Sequence, residues 1–306
     1  MKICVFGNKN TTTDLIRHLQ DAGFAVSSLV TLNKAAQAKV QISGADDQLS
    51  QFAAEHGITV LPAEKYNLST PHDQQMFADA HFDIGLCTGW QRLIPDTILK
   101  QFKFGVFGWH GSGFRFPNGR GRSPLNWSIR LGLDVIYHNC FQYDAGVDDG
   151  LVHETEALPI AAEEDIADVQ RKAVAHIKAS AVRVLRDAQA GHIPLTPQIG
   201  HPFITFPALN EASGFLALNL LTRGDAVNIT RSCSRPFPGA FLRTARGGRL
   251  RIWKLSAAEG APLAAGAAEI RDGTLCLGFI DGTAESEDFD ILDPAGVTEG
   301  AVFHCE

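Results

Sequence analysis

The sequence predicts an α/β fold built on a mainly parallel sheet, followed by a smaller β-rich region. Through the first two thirds of the chain, short apolar runs alternate with amphipathic helical patterns, which is typical of a sheet covered by helices on both faces. A proline-rich stretch follows, and beyond it short apolar runs are separated by turns rich in glycine. We therefore expect two domains, over residues 1–200 and 205–306.

The strands predicted in the first domain are short apolar runs that end near glycine or polar residues. They lie at residues 2–7, 24–32, 57–61, 82–87 and 104–107. Ligands of such sheets bind at the carboxyl ends of the parallel strands. The loops after residues 7, 87 and 108 are therefore expected to face a functional site.

Helical spacing of apolar residues predicts a helix over 11–19 and a long amphipathic helix over 163–191. Residues 192–208 contain four prolines and are interpreted as a linker. A further helix is predicted over 209–223, and short strands over 227–306.

Composition limits the classes of function. The chain has 306 residues, of which 45% are hydrophobic, and a net charge of −7. Such an acidic balance argues against broad nucleic-acid binding, which depends on neutralising phosphates. The six cysteines show no CxxC spacing, so we expect no metal site and a reducing, cytoplasmic setting. The chain starts directly with a strand pattern and has no apolar run of about 18 residues, so neither a signal peptide nor a membrane span is expected.

Two residues stand out as candidates for acid–base chemistry. His110 follows a predicted strand in a Gly-rich loop, and Asp148 lies in a second Gly-rich loop after the next strand. A carboxylate beside an imidazole can fix its tautomer and favour its charged form, which suits a base that takes a proton from an attacking amine. From spacing alone, both could equally be turn residues.

Four patches of sequence resemble the formyltransferase family, which includes methionyl-tRNA, glycinamide ribonucleotide and sugar N-formyltransferases. They are Gly108-Trp109-His110-Gly111-Ser112, Phe116-Pro117, Arg120-Gly121-Arg122-Ser123-Pro124 and Asp144-Ala145-Gly146-Val147-Asp148-Asp149-Gly150. Residues 82–95 and 231–253 are similar to the family's folate-side strand and its C-terminal barrel. The resemblance implies a Rossmann-like formyltransferase domain followed by an OB-like open barrel.

The resemblance also implies a reaction, in which a formyl group passes directly from 10-formyltetrahydrofolate to an amine. His110 and Asp148 match the catalytic pair of the family. The loops 87–94 and 142–148 match the walls of its pterin pocket. The expected folate contacts are Cys87, Gly89, Trp90, Arg92, Ile94, Asp144 and Val147.

One position departs from the family pattern. The asparagine that donates to the formyl oxygen in the family is Gly108 here, and loss of such a donor costs about a hundredfold in rate. Protonated His110, a backbone amide or Asn139 can replace it, or else the chain is impaired or catalyses another reaction. Ser112 is a further candidate hydroxyl donor.

The segment 111–133 contains several arginines and no acidic residue. We expect Arg115, Arg120 and Arg122 to bind an anionic group of the acceptor, although Arg120 could instead be structural. The expected acceptor is therefore a small amine such as a nucleotide-linked amino sugar. Two alternatives are a methionyl-tRNA formyltransferase and a degenerate folate-binding protein.

A second basic stretch, over 226–258, could contact tRNA or be a solvated face balanced by acidic residues; the excess of acidic residues in 205–306 favours the second. The C-terminal barrel could also mediate dimerisation, which the sequence leaves open.

Overall fold

The computed structural model describes residues 1–40, 45–46, 48–78, 80–202, 204–258 and 262–306. The N-terminal strands are β1 (Ile3–Phe6), β2 (Val26–Leu32), β3 (Thr59–Ala63), β4 (Ile84–Cys87), β5 (Val106–Ser112), β6 (Arg120–Gly121), β7 (Val135–Gln142), β8 (Val152–Pro159) and β9 (Thr205–Phe206). Among the described residues, seven of these strands form one sheet in the order β3-β2-β1-β4-β5-β7-β8.

Most of this sheet is parallel, as predicted. Strands β3, β2, β1, β4 and β5 pair in parallel, whereas β7 and β8 continue the sheet in antiparallel pairing. The antiparallel edge places His110 of β5 directly opposite Asn139 of β7. Side chains that are directly opposite lie on the same face of the sheet.

The sequence prediction for β5 was wrong at both ends. The strand was predicted over 104–107 but runs over Val106–Ser112, so His110 lies within a strand and not in the loop after it. The reason is pairing with β7, which continues to Ser112. Glycine makes this close pairing possible, because a Cβ at Gly111 would lie 2.3 Å from the His138 side chain.

The helices cover both faces of the sheet. They are α1 (Asn10–Asp21), α2 (Lys34–Gln37), α3 (Leu49–Glu55), α4 (Pro71–Ala78), α5 (Asp96–Leu99), α6 (Pro124–Arg130), α7 (Ile166–Gln189) and α8 (Arg223–Cys233). Helices α1 and α7 confirm the two long helical patterns. They share one apolar core that includes Leu15 and Leu185, while Phe6 and Phe77 belong to the core on the opposite face.

The prediction of a helix over 209–223 is wrong. That stretch contains a 3₁₀ turn at Glu211–Gly214, and the helix is instead α8, part of which was predicted as strand. Helix α8 starts where it does because Thr222 and Asp225 form a reciprocal cap, in which each side chain accepts from the other residue's backbone N–H.

A separate β-rich region follows α8, as predicted. Its strands are β10 (Ala240–Arg243), β11 (Arg249–Ile252), β12 (Ser256–Ala257), β13 (Ala267–Arg271), β14 (Thr274–Phe279), β15 (Gly282–Ser286), β16 (Phe289–Asp293) and β17 (Phe303–His304). They form two sheets, β10-β11-β16 and β12-β15-β14-β13-β17, around their own apolar core, which includes Leu250 and Leu277. The position of the domain boundary stays a prediction.

The proline-rich stretch predicted as a linker is packed against the first domain. Thr196 and Val152 exchange two backbone hydrogen bonds of 2.8 Å, and β9 pairs in parallel with β6. Residue 203 of this stretch lies outside the described residues. The stretch therefore covers part of the sheet and contributes side chains to the site.

Candidate active site

His110 stands at the carboxyl edge of the parallel strands. Strand β4 ends at Cys87, which lies beside Gly108, and β5 continues beyond that point to carry His110. The imidazole Nδ1 lies 3.4 Å from Asp148 Oδ2, and Nε2 donates to the Gly119 carbonyl at 2.7 Å. Nε2 therefore anchors the ring, and Nδ1 faces a carboxylate that can stabilise a proton taken up there. The structure brings the predicted pair together.

The backbone around Asp148 fixes its carboxylate beside the imidazole. Asp148 has a positive φ of 51°, a conformation that aspartate tolerates better than most residues. Its Oδ2 accepts from the Gly121 N–H at 3.0 Å. The loop closes tightly at Gly150, where a Cβ would lie 1.7 Å from the Gln142 carbonyl oxygen. This glycine is therefore required by close backbone approach.

A row of aromatic rings walls the pair on one side. The Phe116 ring stacks on His110 with centroids 5.4 Å apart and meets Phe141 edge-on at 5.6 Å. Phe141 in turn packs against Tyr143 at 5.2 Å. This apolar wall keeps water away from the imidazole and so strengthens its interaction with the carboxylate of Asp148.

The space beside Gly108 is filled by Tyr143. A Cβ at position 108 would lie 2.2–2.5 Å from three atoms of the tyrosine side chain, including the hydroxyl oxygen. No side chain can therefore occupy position 108 while Tyr143 is in place. No local pattern predicts this relationship, since the two residues are 35 positions apart.

The other candidate donors are engaged elsewhere. The Asn139 amide donates to the backbone carbonyls of His110 and Tyr137, and its oxygen accepts from Thr155 at 2.6 Å. Ser112 is fully buried, and its hydroxyl oxygen accepts from the Phe114 N–H. Ser112 thus faces the protein interior and not an open cleft.

The predicted folate contacts fall into two groups. Cys87, Trp90 and Ile94 are buried in the core, whereas Gly89 is half-buried and Arg92, Asp144 and Val147 are exposed on the two loops. The Trp90 indole N–H is buried and has no hydrogen-bond partner among the described residues. An unpartnered buried donor is costly, and the role of Trp90 in a pterin wall stays a prediction.

Tyr143 links these two loops. Its hydroxyl interacts with the Cys87 thiol, and the charge of Asp148 also acts on it electrostatically. Burial raises the pKa of Cys87 to about 12, so the thiol stays neutral and does not act as a nucleophile. The site therefore offers acid–base and hydrogen-bonding groups.

The three predicted arginines have different surroundings. Arg115 lies over the Tyr137 ring at 4.0 Å and lines a cleft of about 400 Å³ on the catalytic face of the sheet. Arg120 donates to the Gln198 side chain at 2.6 Å, which supports its structural interpretation. Arg122 is exposed. Of the three, Arg115 is the one placed to meet a ligand in that cleft.

Gln198 was missed by the sequence analysis. Its amide nitrogen donates to the carbonyls of Asp148 and Gly150 at 2.9 Å each, and its oxygen accepts from Arg120. It thereby connects the proline-rich stretch to the loop that contains Asp148 and to the segment that contains Arg120. No local pattern marks this residue, because its partners lie about fifty and eighty positions away.

Three basic side chains of the C-terminal stretch form ion pairs among the described residues. Arg235 stacks on Trp253 and pairs with Asp288, and Arg249 pairs with Glu211 at 2.6 Å. Arg231 donates to backbone carbonyls near α7. These contacts support the interpretation of a solvated, charge-balanced face.

A mainly parallel sheet with a histidine–aspartate contact at its carboxyl edge is an α/β arrangement suited to acid–base chemistry. More specifically, the chain belongs to the formyl transferase family, whose model matches residues 1–185. The resemblance that the sequence motifs indicated is thus confirmed.

Two relatives in the family are named methionyl-tRNA formyltransferase. The chain is 29% identical to methionyl-tRNA formyltransferase of Alcanivorax borkumensis over 208 residues, covering 68% of this chain and 61% of the relative. It is 23% identical to the enzyme of that name from Sinorhizobium fredii over 282 residues, covering 92% and 89%. The chain thus spans about three fifths of the first relative's length and nearly all of the second.

Solved structures share the fold. An N-formyltransferase from Helicobacter canadensis, in complex with folinic acid and dTDP-3-aminofucose, superposes with a TM-score of 0.68 at 14% identity, over 95% of this chain and all of the other. HypX from Aquifex aeolicus, in complex with tetrahydrofolic acid, has a TM-score of 0.64 at 17% identity, over 96% of this chain but 44% of HypX. The C-terminal region is therefore part of the shared architecture.

The described residues contain neither a membrane-spanning helix nor a group of metal-ligating side chains. None of their helices is both long and apolar enough to cross a membrane. Within the same residues, no three histidine, cysteine or acidic side chains group as metal ligands.

Proposed function

We propose that this chain transfers the formyl group of 10-formyltetrahydrofolate to the amine of a small acceptor. The observation that carries the proposal is the contact of His110 with Asp148 at the carboxyl edge of the sheet, in a chain of the formyl transferase family. When bound, the folate supplies a formyl group on nitrogen that is open to attack by an amine.

The residues of the pair move the proton. The acceptor nitrogen forms a bond to the formyl carbon as the bond to the folate nitrogen breaks, and one proton must pass from the first nitrogen to the second. We assign this proton to His110 Nδ1, because its 3.4 Å contact with Asp148 is looser than the 2.7 Å contact of Nε2 with Gly119. Asp148 orients the ring and stabilises its charged form.

The acceptor side of the site favours a small, anionic amine. The cleft of about 400 Å³ adjoins Phe116, which covers the His110 ring, and its rim carries Arg115. This volume is in the range of small-molecule sites. Its floor presents the hydrogen-bonded pair Asn139–Thr155, which suits a hydroxylated molecule. A nucleotide-linked amino sugar meets all three requirements.

Methionyl-tRNA is the second candidate acceptor. It is supported by the relatives of that name, one of which aligns over 92% of this chain. The pairing of Arg235 and Arg249 with acidic side chains weighs against it only in part, because it withdraws two cations of this region from phosphate binding.

The test is an acceptor panel. The protein is incubated with 10-formyltetrahydrofolate and nucleotide-linked amino sugars, amino acids or methionyl-tRNA, and the formamide is detected by mass spectrometry. A formamide on a sugar supports the proposal, and one on tRNA selects the second candidate. Folate binding without product on any acceptor contradicts both and indicates a binding protein.

Arg115→Ala then tests the cleft. With the active acceptor we expect KM to rise about tenfold or more, as expected when a charge-assisted contact is lost, with kcat little changed. Arg246→Ala is the matched control, because Arg246 is exposed in the C-terminal region. Equal KM values for the two variants would place the acceptor outside this cleft.

A further inference from the structure

The Tyr143 side chain can occupy its position only because residue 108 is glycine. The tyrosine ring and hydroxyl lie within 2.2–2.5 Å of where a Cβ at position 108 would be, so glycine at 108 is what allows the ring to lie there. The Tyr143 N–H also donates to the Val106 carbonyl at 2.7 Å. The backbone is therefore fixed at the point from which the side chain reaches over β5.

The phenol lies on the same face of the sheet as the catalytic histidine. Gly108 and His110 are two residues apart in β5, so their Cβ directions point to one face and their Cα atoms are about 7 Å apart. The ring over Gly108 therefore lies on the same face of the sheet as the His110 imidazole. The rings of Phe116 and Phe141 complete the row between them.

The hydroxyl has no strong partner to give up. Its neighbour is the Cys87 thiol, which is a weak hydrogen-bonding group. Burial, and secondarily the Cys87 and Asp148 groups, raises the pKa of Tyr143 well above its usual value. The phenol therefore keeps its O–H as a donor at neutral pH.

Formyl transfer, if the proposed function is correct, requires such a donor. Attack by the amine places negative charge on the formyl oxygen, and a preorganised donor in a site shielded from water stabilises that charge. Asn139 and Ser112 are committed to other contacts. We propose that the Tyr143 hydroxyl donates its hydrogen bond to the formyl oxygen during transfer, from the space that glycine at 108 leaves open.

Tyr143→Phe tests this proposal, because it removes the oxygen and keeps the ring. With the acceptor that the panel identifies, we expect kcat to fall about a hundredfold or more, while both KM values and the unfolding midpoint stay close to those of the parent. Tyr137→Phe controls for loss of a phenol oxygen elsewhere on the same face, opposite Ser112. Because its ring packs against Arg115, any effect should appear in the acceptor KM and not in kcat. A kcat of Tyr143→Phe within threefold of the parent would overturn the proposal.

A rescue experiment separates donation from packing. Tyr143→Ala alone should have a low kcat. Adding Gly108→Asn should raise kcat at least tenfold above that of Tyr143→Ala, because the amide then has room and can donate in place of the phenol. No recovery in a double variant that folds and binds folate would count against the proposed donor role.

A measurement without turnover gives a second readout. The carbonyl stretch of a ¹³C-labelled formyl folate bound to the parent should lie at lower frequency than in Tyr143→Phe, because a hydrogen bond weakens the C=O bond. An identical frequency in both overturns the inference about Tyr143. A parent that forms no formamide with any acceptor overturns the proposed function itself, and the two failures are thus distinct.

Discussion

The side-chain amide of Gln198 donates to the backbone carbonyl of Asp148 at 2.9 Å, across fifty positions of sequence. The same nitrogen donates to Gly150, and the side-chain oxygen accepts from Arg120. One glutamine in a proline-rich stretch therefore holds the loop that carries Asp148, the proposed catalytic carboxylate. It acts through position and not through contact with the reacting atoms.

Gln198→Ala should loosen that loop. We expect kcat to fall about tenfold, since small displacements of a catalytic group are costly, with a loss of roughly 1–3 kcal/mol in the free energy of unfolding from unpaired polar groups. Steady-state kinetics and urea unfolding measure the two effects. Gln189→Ala, at an exposed position at the end of α7, is the control. Activity equal to that control would show that Asp148 is held without the glutamine.

His110→Gln should remove proton transfer while preserving a polar side chain at the site. We expect kcat to fall by a factor of about 10² to 10⁴ and the Kd for folate to remain nearly unchanged, because the ring contacts Gly119, Asp148 and Phe116 and not the folate loop at 87–94. Titration calorimetry with a folate and turnover assays check both. Turnover at the parent rate would exclude His110 from the chemistry.

Asp148→Asn separates charge from structure. Asparagine tolerates positive φ, and its side-chain oxygen can still accept from the Gly121 N–H, so the loop should remain folded. It cannot stabilise an imidazolium, and we expect kcat to fall about a hundredfold with thermal stability close to that of the parent. A variant that retains full activity would mean that the carboxylate charge has no part in transfer.

A buried histidine pair behind the site predicts a pH dependence of stability. His138 Nδ1 lies 2.6 Å from His176 Nδ1, and burial, with the neighbouring His176 next in importance, lowers the pKa of His138 to about 3. Between this value and about 6.5 the unfolded chain binds the proton and the folded chain does not, so stability is lost as pH falls through that window.

His138→Gln removes this titration. From pH 7 to pH 5 we expect His138 to contribute about 2 kcal/mol of lost unfolding free energy, so the parent should lose that much more than the variant. Urea unfolding at the two pH values measures the difference. His192→Gln, at an exposed position, should keep the parent's dependence. Equal losses in parent and His138→Gln would show that His138 is protonated in the folded chain.

The local sequence determined the elements with strong periodicity. The pattern around Leu15 and the long stripe before Gly191 predicted α1 and α7 because amphipathic spacing and capping act within a few residues. The motifs around His110 and Asp148 identified the pair, since those residue types are required by the chemistry. The position of α8 was predicted wrongly. Apolar spacing indicated a helix over 209–223, where the chain forms only a short 3₁₀ turn, and the true start of α8 depends on the Thr222–Asp225 cap.

By itself the sequence determined the family, the alternation of strands and helices, and the candidate pair His110 and Asp148, whose role in acid–base chemistry stays a prediction. Only the tertiary structure decided that His110 lies within a strand, that Gln198 supports Asp148, and that Tyr143 occupies the space at Gly108. The physical reason is range. Periodicity and capping act within a few neighbouring residues, whereas these contacts join positions about 25 to 80 residues apart, which meet when the antiparallel edge of the sheet and the proline-rich stretch pack together.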